Sequence, residues 1–247
     1  MSGFHIVIPA RMESQRLPGK PLLEIAGKPL VEHVWRRARQ AGAETVVLAT
    51  DSSEIRAAAE KFGAEVVMTS DAHQSGSDRI AECAELLAWP NDALIVNLQG
   101  DEPLMPPGCL QQVAALLQET EDADVASLYW PVASEQEARD PNVVKVVVDR
   151  EGFALYFSRS LIPYPRGGED LVGWKRHIGL YAYRGAALRA FTRAAPGPLE
   201  RSERLEQLRF LECGRRILMA RSDEPIPAGV DTPADLDRVR TAFADPT

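Results

Sequence analysis

Short apolar runs alternate with helical patterns through the first half of the chain. Phe4 to Pro9, Val46 to Ala49, Val66 to Met68, Leu94 to Leu98 and Val125 to Trp130 read as strands. Between them, Leu30 to Gln40, Ser53 to Phe62, Ser77 to Leu87 and Pro107 to Leu117 read as helices. Strands and helices taken in turn imply right-handed crossovers, so the pattern predicts an α/β fold: Rossmann-like, with a largely parallel sheet and helices on both faces. Asn97 alone interrupts the run Leu94 to Leu98, which suggests a strand buried on both sides.

The second half is less regular. Val143 to Val148 and Ile178 to Tyr183 read as strands, separated by a turn-rich stretch with Pro163, Pro165, Gly167, Gly168 and Gly173. Connections are usually about 4–6 residues long, and a stretch of this length is usually functional or disordered. Residues 131–183 therefore read as an excursion from the sheet within a single domain spanning 1–247. Helices are expected over Leu199 to Cys213 and Pro233 to Phe243, with a strand at Ile217 to Ala220 between them.

Composition narrows the function classes. A chain of 247 residues with 45% apolar content can bury a full core. Its net charge of −8 would repel a long polyanion, so nucleic acid is not an expected partner. No apolar run approaches the roughly 18 residues of a membrane span, and the N-terminus lacks a signal-peptide layout, so a soluble, cytoplasmic protein without stable membrane contact is expected. Cys83, Cys109 and Cys213 are odd in number and widely spaced, which argues for buried thiols rather than a disulfide framework or a zinc site.

On this acidic background the first strand runs directly into a loop with three cations, Arg11, Arg16 and Lys20. Open α/β sheets bind ligands at the carboxyl ends of their strands, so the loop reads as a site for a small phosphorylated ligand. It is neither a dinucleotide fingerprint nor a P-loop: no G-x-G-x-x-G occurs, and Pro21 follows Gly19-Lys20 where Ser or Thr would be needed. Pro18 and Pro21 stiffen the segment, and Gly19 can supply a backbone conformation that other residues avoid.

Two carboxylates deserve comparison. Asp101, after Gly100 at the end of the strand Leu94 to Leu98, either caps a helix near Pro107 or presents a hard ligand for magnesium. Asp231, in Gly229-Val230-Asp231-Thr232-Pro233, is either a second such ligand or, like Thr232, a helix N-cap. Ser75 and Asp78 have capping-box spacing at the start of a helix. On a continuous helix from Leu199, Glu203, Glu206 and Gln207 would fall within an arc of about 100° and could face one polyhydroxylated ligand, or else form a solvated edge with Arg204 and Arg209.

The stretch A-R-x-x-S-x-R-L-P-G-K from Ala10 to Lys20 resembles the nucleotide-binding signature of the sugar nucleotidyltransferases, and among them the cytidylyltransferases that activate acidic sugars. Ala49-Thr50-Asp51, His73-Gln74-Ser75-Gly76, Gln99-Gly100-Asp101-Glu102-Pro103 and Leu205-Glu206-Gln207-Leu208-Arg209 extend the likeness nearly from end to end. The chain departs from the usual wording at Ser77 and Asp78, where Thr and Glu are customary. The resemblance implies a glycosyltransferase-A-like nucleotidyltransferase fold and transfer of CMP from CTP to an acidic eight-carbon sugar, with release of pyrophosphate. Arg11, Lys20, Asp101 and Asp231 would be catalytic, the two aspartates holding Mg2+. Arg11, Ser14, Arg16 and Lys20, with Ser75, Gly76, Arg79 and Gln99, would bind the nucleotide. Gln99, Arg159, His177, Tyr181, Glu203 and Gln207 would meet the sugar, Arg159 at its carboxylate. Residues 131–183 would carry sugar and subunit contacts of a homodimer.

Rival readings are a cytidylyltransferase for sialic acid or an amino analogue of the eight-carbon sugar, a nicotinamide oxidoreductase, and a non-catalytic nucleotide-binding regulator. The E-Q-L-R and R-H-x-G-L-Y segments disfavour the first, the missing glycine fingerprint disfavours the second, and carboxylates at both expected metal positions disfavour the third.

Overall fold

The computed structural model describes residues 3–14, 16–73, 75–166 and 173–244; Gln15, Gln74, Gly167 and Gly168 lie outside them. The chain begins with β1 (Phe4–Ala10), a 3-10 turn at Lys20–Leu22, the hairpin β2 (Glu24–Ile25) and β3 (Lys28–Pro29), and α1 (Leu30–Gln40). β4 (Thr45–Thr50), α2 (Ser53–Lys61), β5 (Glu65–Met68), α3 (Gly76–Leu86), β6 (Leu94–Asn97), α4 (Pro107–Glu119) and β7 (Val125–Pro131) follow the predicted alternation. Next come α5 (Glu135–Arg139), β8 (Lys145–Val148), β9 (Ala154–Ser158), β10 (Lys175–Arg184) and α6 (Gly185–Arg193). The chain closes with α7 (Pro198–Glu203), α8 (Gln207–Glu212), β11 (Ile217–Arg221) and α9 (Pro233–Ala244).

The main sheet runs β11-β7-β10-β6-β1-β4-β5. β1 pairs in parallel with β4 on one side and β6 on the other. β10 is antiparallel to both β6 and β7, so the sheet is mixed rather than uniformly parallel. Side-chain alternation builds a core on each face. Ile6 and Ile8 of β1 join Val34 of α1, Ile55 of α2, Leu110 of α4 and Val239 of α9. Val7 points the other way, into a cluster with Ile80 of α3, Phe191 of α6 and Leu208 of α8. Among the described residues no helix is long and apolar enough to cross a membrane.

Four sequence expectations need correction. The stretch 131–183 does not simply leave the sheet: its last strand, β10, inserts between β6 and β7, and β8 pairs with both β9 and β10. The predicted helix Leu199 to Cys213 is two helices, because Arg204 adopts a left-handed conformation (φ 54°, ψ 49°) with no glycine or proline to announce it. Their shared arc for Glu203, Glu206 and Gln207 is therefore lost. Cys83 and Cys109 are buried as expected, and burial pushes the Cys83 thiol up to about 12, but Cys213 is exposed.

Candidate active site

Strand order reverses about β1: the chain builds β4 and β5 on one side, then returns to build β6 on the other. The loops after β1 and β6 lie side by side at the carboxyl edge of the sheet, where open α/β sheets hold their ligands. A cavity of about 770 Å³ opens there. The β1 loop is organised by local bonds: the Leu17 amide donates to Ser14 Oγ at 3.3 Å, and the Lys20 amide to the Leu17 carbonyl at 3.1 Å. Gly19, at φ 66°, makes the left-handed turn that starts the 3-10 segment. Gly100 is needed for a different reason: a Cβ there would stand 2.7 Å from the Pro9 carbonyl oxygen, so only glycine lets the β6 loop pass this close to β1.

The two aspartates far apart in sequence meet at one ammonium. Lys20 Nζ donates to Asp101 Oδ2 at 2.5 Å, to Asp231 Oδ1 at 3.3 Å and to the Val230 carbonyl at 2.9 Å. Arg16 lies 3.3 Å from the same Asp231 oxygen. The capping alternative for Asp231 is answered by its neighbours. Thr232 Oγ1 accepts the Asp235 amide at 3.2 Å while Asp235 Oδ2 accepts the Thr232 amide at 2.9 Å, a reciprocal cap that leaves the Asp231 carboxylate to the crevice. The Thr232 hydroxyl, which donates to Asp235 Oδ2 at 2.8 Å, and the Arg238 guanidinium hold the Asp235 carboxyl down at about 2. Arg11 lines the cavity in an exposed position. Among the described residues no cluster of three or more His, Cys, Asp or Glu is gathered for a metal. Asp101 and Asp231, brought together at Lys20, could hold a hard cation whose other ligands come from phosphate and water.

The remaining nucleotide candidates reach the same crevice in different conditions. Ser75, Gly76, Arg79 and Gln99 all line it. Ser75 caps α3 as predicted, accepting the Asp78 amide at 3.1 Å and donating to Asp78 Oδ2 at 2.9 Å. Arg79 is buried and already engaged by Thr69 and Asp51, so it braces the loops more than it offers charge. Glu206, which resemblance to the motif alone left without a role, also lines this cavity and accepts from Ser77 Oγ at 3.3 Å. Burial of its carboxyl end, aided by the Asp78 carboxylate, pushes its pKa up.

A second cavity, of about 490 Å³, is lined by sequence neighbours of residues that line the first. His177, Tyr181 and Gln207 line it as the sugar reading requires, with Glu102 and Arg176 in addition. Both additions sit inside motifs legible in the sequence, but nothing in the motifs tells which neighbour faces the cavity. Arg159 and Glu203 are not among the lining residues. Glu203 accepts from Ser158 Oγ at 2.5 Å and from the Arg159 amide at 2.9 Å, and the Arg159 guanidinium is spent on the carbonyls of Glu203 at 2.8 Å and Pro141 at 2.9 Å. The left-handed turn at Arg204 separates Glu203 from Glu206 and Gln207, which open α8.

Burial drives His177 down to about 3, and its Nε2 lies 3.1 Å from Ser127 Oγ. An imidazole that stays neutral when folded but protonates at its ordinary value of 6.5 when unfolded costs stability progressively as pH falls from 6.5 towards 3. Replacing His177 with Gln should flatten that part of the stability curve, measured as the urea midpoint at pH 7.5 and 5.0; an unchanged difference between the two pH values would refute the assignment.

A protein-family model for cytidylyltransferases matches residues 5–217. The chain is 52% identical over 242 residues to the 3-deoxy-manno-octulosonate cytidylyltransferase of Thioalkalivibrio sulfidiphilus, covering 96% of this chain and 97% of the relative. It is 50% identical to the enzyme of the same name from Halorhodospira halophila, over 96% of this chain and 95% of that one. Among solved structures, CMP:2-keto-3-deoxy-manno-octonic acid synthetase complexed with CTP superposes with a TM-score of 0.93 at 41% identity, covering 98% of this chain and 99% of that one. Sequence along almost the whole length, fold, and a cation-lined crevice at the switch point agree, and the chain belongs to the 3-deoxy-manno-octulosonate cytidylyltransferase family of sugar nucleotidyltransferases.

Proposed function

We propose that this chain transfers CMP from CTP to 3-deoxy-manno-octulosonate, giving CMP-3-deoxy-manno-octulosonate and pyrophosphate for lipopolysaccharide biosynthesis, with the nucleotide in the first cavity and the sugar in the second. The observation that carries the placement is the border the two cavities share. Asp101 lines one cavity and Glu102 the other; Glu206 and Gln207 divide in the same way, as do Asp231 and Gly229. Cavities lined by such neighbouring residues adjoin, so a sugar hydroxyl held in one can be brought to a phosphate held in the other, which is what in-line transfer needs.

The anomeric hydroxyl attacks the α-phosphorus and gives up its proton to solvent, and the bond from that phosphorus to the bridging oxygen breaks, pyrophosphate leaving with the electron pair. No enzyme-bound intermediate is required. Lys20, Arg11 and Arg16 stabilise the charge that builds on the leaving group. Asp101 and Asp231 would hold magnesium, since both carboxylates line the first cavity and already converge on one positive charge at Lys20. When bound, the metal neutralises charge on the attacked phosphate. Gln207, Tyr181 and neutral His177 suit sugar hydroxyls. The sugar carboxylate finds its cation in Arg176, which lines the second cavity and among the described residues is paired with Glu137 at 3.4 Å, while Arg159 and Glu203 brace α7 against β9. The exposed apolar side chains Leu155 and Tyr164 favour a homodimer contact within 131–183. The family's reaction and the buried thiols suit a cytoplasmic setting.

Isotope-labelled CTP incubated with 3-deoxy-manno-octulosonate should yield labelled CMP-sugar, with CTP strongly preferred over ATP and GTP. Equal pyrophosphate release from all nucleotides would overturn the cytidylyl reading. Lys20→Ala should lower kcat/KM by about 10–100-fold through loss of a charge-assisted phosphate contact. Arg16→Ala should do less, because its side chain is 65% exposed and screened by solvent. Unchanged kinetics in both variants would remove the loop from the reaction.

A further inference from the structure

We infer that Glu102 is a specificity-determining residue for the sugar, its unpartnered Oε2 taking a hydrogen bond with a hydroxyl of the substrate in the second cavity. The inference rests on the placement of the sugar there. Among the described residues, Glu102 Oε2 is the buried side-chain polar atom that has no hydrogen-bond partner. Other buried charges in this protein are satisfied: Lys145 donates to the carbonyls of Asp140, Val143 and Arg159, and Arg209 pairs with Glu200. A buried acceptor left unmade is costly and marks a place where something else completes the bond.

The completing group must come from the cavity. Glu102 lines the second cavity together with Arg176, His177 and Gln207, whereas Asp101, its neighbour, lines the first. Its backbone is fixed by bonds of 3.2 Å, its amide to the Gln99 carbonyl and its carbonyl from the Met105 amide. Gly229 packs on its stem: a Cβ there would stand 3.4 Å from Glu102 Cγ. The ligand chemistry follows from the surroundings. With Asp101 and Asp231 close by, an anionic group is repelled from this carboxyl, while a hydroxyl can donate or accept and so pairs with it in either protonation state. A site that hydrogen-bonds a substrate hydroxyl rejects analogues that lack it, because the buried oxygen is then left bare.

The test is steady-state kinetics with magnesium, CTP and 3-deoxy-manno-octulosonate for wild type, Glu102→Leu, Glu102→Gln and Gln207→Ala. Glu102→Leu should raise the sugar KM about 10–100-fold and leave the CTP KM within about twofold. Glu102→Gln, which keeps a polar atom in place, should recover most of the loss. Both variants should melt at or above the wild-type temperature, since an unpartnered buried carboxyl opposes folding. Glu102→Ala gives the same readout where Leu fails to fold. A rise in the CTP KM, or a fall in kcat at constant sugar KM, would put Glu102 on the nucleotide side and overturn the inference. A lowered melting temperature with both KM values unchanged would make it structural. If Gln207→Ala raises the sugar KM and Glu102→Leu does not, the sugar placement stands and the role of Glu102 falls. If neither does, the placement itself falls, and this inference with it.

Discussion

Asp231→Asn should lower kcat by more than about a hundredfold while changing stability by less than about 1 kcal/mol. The substitution keeps size and polarity but removes a negative charge from the pair that converges on Lys20. Stability is expected to hold because Asp231 is 54% exposed, where ion pairs contribute little. The helix start is held elsewhere, by the Thr232 and Asp235 cap. Thr232→Ala is the matched control: it should cost about 1 kcal/mol of stability with turnover preserved. Asp101→Asn should resemble Asp231→Asn, and excess EDTA should abolish wild-type activity until magnesium is restored. Full activity of Asp231→Asn at limiting magnesium would show that the second carboxylate has no part in the reaction.

The largest loss of stability is expected five residues beyond the left-handed turn, at Arg209. Its guanidinium makes a two-pronged contact with Glu200, at 2.6 and 2.5 Å, and lies 4.0 Å over the Phe191 ring. Both partners are more than nine-tenths buried, Glu200 at 7% exposure and Arg209 at 8%. Arg209→Met removes one charge and strands the other, which costs about 3–5 kcal/mol. Removing both charges in Glu200→Gln/Arg209→Met should recover much of that loss, because the penalty belongs to the uncompensated carboxylate. Urea midpoints for the single and double variants measure the difference. A wild-type midpoint with lost activity in Arg209→Met would instead make Arg209 a ligand contact. The E-Q-L-R segment thus divides its work: Glu206 and Gln207 face the two cavities, and Arg209 pins α8 to α7.

The alternation of apolar runs and helical patterns by itself determined the α/β class and most of the first half, because strands of period two and helices of period 3.6 must bury their faces on a common sheet. It also marked the cation loop and the carboxylate after β6, since strand, turn and charged residues are contiguous there. What contiguity cannot carry, the tertiary structure decided. Asp231 and Thr232 are equally good caps on paper; only the bonds of Asp235 to Thr232, and of Lys20 to Asp231, separate the cap from the carboxylate that faces the crevice. The break at Arg204 left no glycine or proline to read, because it is imposed by β9 gripping Glu203 rather than by local propensity. β10 entered the middle of the sheet through pairings with β6 and β7, at separations no local pattern encodes. Arg79 and Arg159 looked like ligand cations because a guanidinium in a motif is silent about its partners, and here those partners are Asp51 and backbone carbonyls. Residue types and their spacing set which chemistry was available; the direction of each side chain, and so which cavity it serves, came from the long-range contacts that fold the chain.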